Sequence, residues 1–444
     1  MDREMIERAR SSFIDAARSL VARKGALFVV NHLVLAPLAL YLVLQLALLE
    51  GTDNKRNLIV RFFALGCVAI FGYLSLVLGR RGNACLLPCF VAACLAAELV
   101  MRATGWFGAG NEILARTPQP YFMFSGAPNG TLGTGDTQIR FNGEGFRIEG
   151  EISPAKPADE MRIFVLGGST VLFGAPLANT VPGALEAALR AGGLPQARVY
   201  NFGVAGFVSS QELALLVHRL VYLNPDLVIA YDGGNDLVFP WVYDPRPGFP
   251  FNFLVWEEAI NKISNAGSRS KSIASLAQDS ALLQAVVGTT EWDIRSGREN
   301  LRRQSGFAGE PWKRAIVDSY ARNIAAMCRT TRSEGVLFAA YFQPMLPYSK
   351  QRLDERQLKM SGGAEVVAGA RDERGQVPAA VAAKMNPSQA GCRFGDVSSL
   401  FEDEPATFTD VIHVKDEANR VIARRIADEL LSWNALQSRA QSRR

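Results

Sequence analysis

Three long apolar runs open the chain. Residues 26–49 are apolar except for Asn31, His32, Gln45 and the Tyr41 hydroxyl. Residues 58–78 carry one charge, Arg61, near the start, and residues 84–101 carry one, Glu98, near the end. As helices they reach about 36, 31 and 27 Å, against a hydrocarbon core of about 30 Å. This predicts three transmembrane helices, at 26–49, 58–78 and 84–101. A cleaved signal sequence would have a shorter apolar core followed by a small-residue cleavage site, whereas here a second run follows. On one side of the runs lie Arg3, Arg8, Arg10, Arg18, Arg23, Lys24, Arg80 and Arg81; on the other lie Lys55, Arg56, Arg102 and Arg116. That bias predicts a cytoplasmic N-terminus, and three crossings then place everything after Met101 outside the cytoplasm.

Beyond this anchor (1–101) the pattern changes twice. Residues 102–160 are rich in Gly and Pro, with aromatic clusters at 121–124 and in Phe141-Asn142-Gly143-Glu144-Gly145-Phe146-Arg147. They read as a neck or linker of turns and short strands. From 161 onward strands and helices alternate. Residues 162–166 form a continuous apolar run ending at Gly167-Gly168, as a strand buried on both faces should. Further strands are expected at 197–204, 225–231 and 336–342, with helices at 180–190, from Ser209 to about 223, at 312–333 and at 415–433. Ser209 and Glu212 have the spacing of a capping box. Alternating β and α units imply an α/β domain, 161–434, with a parallel sheet covered by helices on both faces. Stretches 239–311 (partly helical at 275–287) and 345–401 fit no element of this plan and read as insertions, with 435–444 as a tail.

Composition narrows the chemistry. The 444 residues are 48% apolar and 20% charged, which excludes general disorder, and a net charge of +5 is too small for a nucleic-acid-binding face. Four of the six cysteines (Cys67, Cys85, Cys89, Cys94) fall in the apolar runs at spacings unsuited to zinc. Cys328 and Cys392 fall in the exported part and could pair there, but sequence gives no distance between them.

Histidine is the informative count: there are three, His32, His218 and His413. Ser169, in Gly167-Gly168-Ser169-Thr170, follows a strand end where small neighbours would expose a nucleophile, although Gly-Gly-Ser is also common in ordinary turns. No Gly-Lys-Ser/Thr or GxGxxG accompanies it, and the GxSxG elbow is absent from the chain. His32 lies in an apolar run, and His218 on an apolar helix reads as a packed residue. That leaves His413, in a polar turn with Asp410 three residues earlier, as the candidate base. Gly206 and Asn235, after the second and third strands, could offer a backbone N–H and a side-chain amide to an oxyanion.

These four blocks, Gly-Gly-Ser-Thr, the Gly206 loop, Gly-x-Asn-Asp and Asp-x-x-His, resemble the SGNH/GDSL hydrolase superfamily in order and spacing, from about Arg162 to Leu431. Gly168 departs from the Asp of the family name. The neck motif and Gln343-Pro344 are similar to membrane-tethered bacterial members. The resemblance implies a three-layer α/β/α flavodoxin-like domain. In it Ser169 would be the nucleophile, Gly206, Asn235 and the N–H of Ser169 the oxyanion donors, His413 the base and Asp410 its partner, with no cofactor or metal. The function expected is a membrane-anchored serine esterase of the bacterial inner membrane with a periplasmic catalytic domain. It would act on O-acyl, foremost O-acetyl, groups of an envelope or exported polysaccharide. Its partners would be an acylated glycan or lipid substrate and membrane lipid, with no nucleic acid. The alternatives are an O-acetyltransferase using the same triad with a multispanning membrane partner, a lipase or lysophospholipase, and a non-catalytic glycan-binding component.

Overall fold

The computed structural model describes residues 22–47, 55–103, 116–251, 298–385 and 391–442, with a few isolated positions beside them. The chain divides into two compact units; the described residues up to 103 belong to one and those from 116 onward to the other.

The first unit contains helices α1 (Ala26–Ala47), α2 (Lys55–Val77) and α3 (Arg80–Ala103). Among the described residues one stretch, Arg80–Met101 of α3, is long and apolar enough to cross a membrane. The apolar stretches of α1 and α2, Ala26–Leu40 and Arg61–Val77, are shorter. All three expected runs are therefore helical, but three full spans are not established, and residues 48–54 lie outside the described set. Asn31, the odd polar residue of the first run, has a structural reason. Its Nδ2 donates to the Asn83 carbonyl (3.1 Å), Ser75 Oγ donates to Asn83 Oδ1 (2.6 Å), and Asn83 Nδ2 donates to the Ser75 carbonyl (3.1 Å). Polar groups buried among apolar helices need such partners, and these link α1, α2 and α3.

The second unit opens with two small antiparallel pairs, β1 (Arg116–Gln119) with β2 (Met123–Gly126), and β3 (Thr131–Leu132) with β4 (Ile139–Arg140). Then come β5 (Met161–Gly167), α4 (Ser169–Leu172), α5 (Val181–Ala191), β6 (Ala197–Gly203), α6 (Ser209–His218), β7 (Leu227–Asp232) and α7 (Gly234–Val242). After the first insertion follow α8 (Glu310–Ser333), β8 (Leu337–Phe342), α9 (Glu355–Met360), α10 (Ala364–Met385), β9 (Cys392–Asp396), α11 (Asp416–Leu431) and α12 (Asn434–Gln441). The five main strands form one parallel sheet in the order β6-β5-β7-β8-β9. This is a doubly wound α/β fold with the flavodoxin strand order.

Strand alternation explains why the strands read as continuous apolar runs. Phe164, Leu166, Val228, Ala230, Phe338 and Phe342 face a core with α6 and α8. Ile163, Val165, Leu227, Ile229, Ala339 and Tyr341 face the opposite core with α5 and α11. With apolar layers on both faces, a polar strand residue must find its partners inside the protein, as Arg162 does on Glu160 and the Leu223 carbonyl and Asn201 on the Val171 carbonyl. The neck belongs to the first of these cores: Phe122, Phe124 and Phe146 are buried there, Phe146 packing edge-on to Phe202 at 5.0 Å and Phe124 to Phe207 at 5.4 Å.

Three expectations need correction. The Ser209–Glu212 capping box does not form; instead Gln211 Oε1 accepts from Val208 N–H at 3.4 Å. Val208 is the residue before the helix, the Ser209 hydroxyl is taken by Asp236, and Glu212 is buried in a carboxyl cluster. The 345–401 stretch is not without a place in the plan, since it supplies α10 and the fifth strand, β9. Gly369, Gly375 and Pro378 interrupt the apolar period of α10; a methyl group at Gly369 would meet the Trp241 indole at 2.2 Å, so a small residue is required there. Residues 435–441 are not a loose tail: α12 buries Leu436 and Ala440. Cys328 of α8 and Cys392 of β9 form a disulfide with Cα atoms 5.9 Å apart, tying the edge strand to the long helix.

Candidate active site

Strands β5, β6 and β7 end together at one edge of the parallel sheet, and each is followed by one predicted block. Ser169 is the first residue of α4, directly after β5, and is buried, as is Asn235 at the start of α7. Gly206 lies in the turn between β6 and α6 at φ +84°, in the left-handed region that favours glycine. The three blocks touch. Asn235 Nδ2 donates to the Phe207 carbonyl at 2.6 Å, beside Gly206. A methyl group at Gly168 would lie 2.5 Å from Asn235 Nδ2 and 3.3 Å from the Phe207 carbonyl. A side chain at 168 would push against the Asn235 amide. An amide nitrogen carries two hydrogens, so after the bond to Phe207 one remains for a substrate oxygen.

The fourth block arrives from the turn before α11. His413 Nδ1 and Asp410 Oδ2 are 2.6 Å apart, and Asp410 Oδ1 accepts from the backbone N–H groups of Ile412 (2.9 Å) and His413 (2.8 Å). Burial pushes the Asp410 carboxyl up, but the His413 hydrogen bond, the His413 charge and these two N–H groups outweigh it. The carboxyl titrates below its ordinary value. A carboxylate on Nδ1 leaves Nε2 as the working nitrogen. His413 Nε2 is buried and finds no hydrogen-bond partner among the described residues. The imidazole lies 5.4 Å from the ring of Phe173, the residue that caps the helix opened by Ser169. A nucleophile, a carboxylate-oriented imidazole with a free nitrogen and two amide-type donors suit acyl transfer through serine.

The other histidines stand apart. His32 Nδ1 lies 2.9 Å from the Phe28 carbonyl within α1. His218 is exposed in the last turn of α6, where its ring stacks on Tyr121 at 3.9 Å, so the expectation of a packed residue is corrected: Leu215 and Leu216 face the core, and position 218 falls on the solvent side of the helix.

Several contributors were not legible in the sequence. In the neck motif, Asn142 Oδ1 accepts from the N–H groups of Glu144 and Phe146, bending the loop so that Arg147 reaches inward. Arg147 then donates to the Leu172 carbonyl at 2.5 Å, holding the last turn of α4. A cavity of about 40 Å³ lies between the neck and the site, lined by Leu132, Phe141, Leu172, Phe173 and Val204 among others. The sequence signal for this was the motif itself, but nothing in it said what Arg147 would grip.

Behind the Gly206 loop lies a buried acidic cluster. Asp236 accepts from Ser209 N–H (3.0 Å) and Ser209 Oγ–H (2.5 Å), and Asp232 accepts from Tyr320 O–H (2.7 Å). Both Glu212 oxygens and Asp232 Oδ2 find no N–H or O–H donor among the described residues. The two carboxyls adjoin one another and are satisfied when they share a proton. Burial first, and the neighbouring carboxylates next, push Glu212 well above its ordinary range. Asp232 is raised chiefly by burial, and Asp236, by burial and the Asp232 charge, to about 7. Each folded value lies above the unfolded one, so the folded protein holds protons that the unfolded chain releases. Stability from these groups is full below about pH 4 and is lost as the pH climbs through their folded values, about 7 for Asp236. The thermal midpoint of the second unit should therefore fall by several degrees between pH 5 and pH 8, and Glu212→Gln should flatten the dependence. A midpoint that rises over this interval would refute the shared proton.

No family model matches the chain, and no curated protein does. Among solved structures, the chain is similar to Axe2, an acetylxylan esterase from Geobacillus stearothermophilus. The identity is 14%, covering 63% of this chain and 97% of that one, with a TM-score of 0.35. It is also similar to a lipolytic protein of the G-D-S-L family from Desulfitobacterium hafniense, at 10% identity over 61% of this chain and 99% of that one, with a TM-score of 0.32. At these values the likeness says nothing of chemistry, which has to be read from the site.

Proposed function

We propose that this chain is a membrane-anchored serine esterase of the SGNH type that removes small O-acyl groups, foremost O-acetyl, from a glycan outside the cytoplasm. The observation that carries the reading is the Asp410–His413 pair, whose buried Nε2 has no hydrogen-bond partner among the described residues and whose ring lies 5.4 Å from Phe173, the residue that caps the helix begun by Ser169. In the reaction His413 Nε2 takes the proton as Ser169 Oγ bonds to the acyl carbon. The oxyanion is met by Gly206 N–H, Asn235 Nδ2–H and the N–H of Ser169, and collapse expels the sugar hydroxyl, which takes the proton back. Water, activated by the same imidazole, then releases the acyl group as a carboxylic acid. The Cys328–Cys392 bond supports an oxidising compartment, in line with the basic residues that favour a cytoplasmic N-terminus.

The test uses the full chain in detergent. A serine-reactive fluorophosphonate should label it once, at Ser169, and Ser169→Ala should lose both the label and the turnover of an activated acetyl ester. Label or turnover that survives in Ser169→Ala sinks the assignment. Release of acetate from an acetylated glycan, as against transfer to an added sugar, separates hydrolysis from the transferase alternative.

A further inference from the structure

We propose that Asp236 is a positioning residue for the oxyanion hole, holding the loop that presents Gly206 against the helix that presents Asn235. The proposal rests on the esterase reading above and adds to it the part that fixes its two donors. Gly206 stands three residues before Ser209, with only Phe207 and Val208 between them, so whatever fixes the first turn of α6 also fixes the Gly206 N–H. Asp236 follows Asn235 on α7. Its two carboxylate oxygens grip consecutive groups of one residue, Oδ2 taking Ser209 N–H at 3.0 Å and Oδ1 taking Ser209 Oγ–H at 2.5 Å.

The grip has a direction. Asn323 Nδ2, from α8, donates to Ser209 Oγ at 2.9 Å, which leaves the hydroxyl hydrogen to point at Asp236. A second link runs parallel to the first, from Asn235 Nδ2 to the Phe207 carbonyl at 2.6 Å. Neighbouring residues 235 and 236 thus hold residues 207 and 209, two positions apart. Ser209 is fully buried and Asp236 is 3% exposed, so water does not compete for these bonds. An amide or alanine in place of either group lets the Gly206 loop and Asn235 move apart. A misplacement of about 1 Å in a catalytic group can cost on the order of 10²-fold in rate. The rival explanation is that Asp236 merely satisfies the first N–H of α6, as a helix cap does. A cap acts on stability and leaves the turnover of each folded molecule alone.

The experiment compares Asp236→Asn, Ser209→Ala and the double variant with the wild type, as full chains in detergent. The substrate is an activated acetyl ester, and each rate is divided by the amount of Ser169 titrated by exhaustive fluorophosphonate labelling, so that misfolded protein drops out. Asp236→Asn should lower kcat per titrated site by roughly 10- to 10²-fold, with KM changed less than about threefold. Ser209→Ala, which keeps the N–H bond to Asp236, should lose less. The double variant should be no worse than Asp236→Asn, because both act through one link. A kcat per titrated site within twofold of wild type in Asp236→Asn overturns the proposal, and so do losses that multiply in the double variant. If Asp236→Asn does not accumulate, Ser209→Ala decides: an unchanged kcat per titrated site overturns it. Wild-type protein that neither labels nor turns over would instead overturn the esterase reading itself, a result that these ratios cannot imitate.

Discussion

His413→Gln should lower turnover of an activated acetyl ester by roughly 10²–10⁴-fold, the usual contribution of a general base, whereas His218→Gln should stay within about twofold of wild type. The first loss follows from the geometry of one nitrogen. Nδ1 is committed to Asp410 at 2.6 Å, and Nε2 is buried with no hydrogen-bond partner among the described residues. Glutamine fills the space but cannot cycle a proton near neutral pH. Fluorophosphonate labelling of Ser169 should slow in parallel, because the hydroxyl has lost its base. The second result follows from exposure: His218 stacks on Tyr121 at the surface, and its removal costs only that contact. Asp410→Asn should fall between the two, since the imidazole remains but loses its carboxylate. If His218→Gln is the inactive variant while His413→Gln turns over, the Asp-x-x-His assignment is wrong.

Asn235→Ala should lower kcat by about 10²–10³-fold, the loss usual for one oxyanion donor, while the protein remains folded and Ser169 remains in place. The Asn235 amide donates one hydrogen to the Phe207 carbonyl, and in the proposed reaction its other hydrogen meets the substrate oxygen. Alanine removes both, leaving the Phe207 oxygen buried and unpaired at a cost of about 1–3 kcal/mol. The thermal midpoint should therefore drop together with kcat, and KM should change little. A variant with normal kcat would mean that the substrate oxygen is bound elsewhere.

The strands of the second unit were legible because both faces of the sheet are covered, so Ile163, Phe164, Val165 and Leu166 read as one uninterrupted run. β9 was not, because an edge strand with half-buried residues carries no such run, and α10 was hidden by Gly369, Gly375 and Pro378. For the site, residues with special chemistry stood out: a serine between glycines and strand end, and a histidine in a polar turn. What holds them did not. Arg147 gripping Leu172, and Asp236 gripping Ser209, join residues 25 and 27 positions apart, and no local pattern announces either. The capping box failed for the same reason, as a tertiary partner took the Ser209 hydroxyl before the helix could use it.

The acid and the imidazole of the dyad sit three residues apart in one turn, and Asp410 fastens itself to the backbone of Ile412 and His413. Ser169, by contrast, is placed by the end of β5, an interior strand of the sheet. The two halves of the machinery therefore have different mechanical dependence. The turn can keep acid and base in register while the sheet breathes, but the gap from imidazole to nucleophile reports every slip between α11 and β5. Heating should part serine from histidine while histidine still holds aspartate, so activity would fade ahead of the dyad's own integrity.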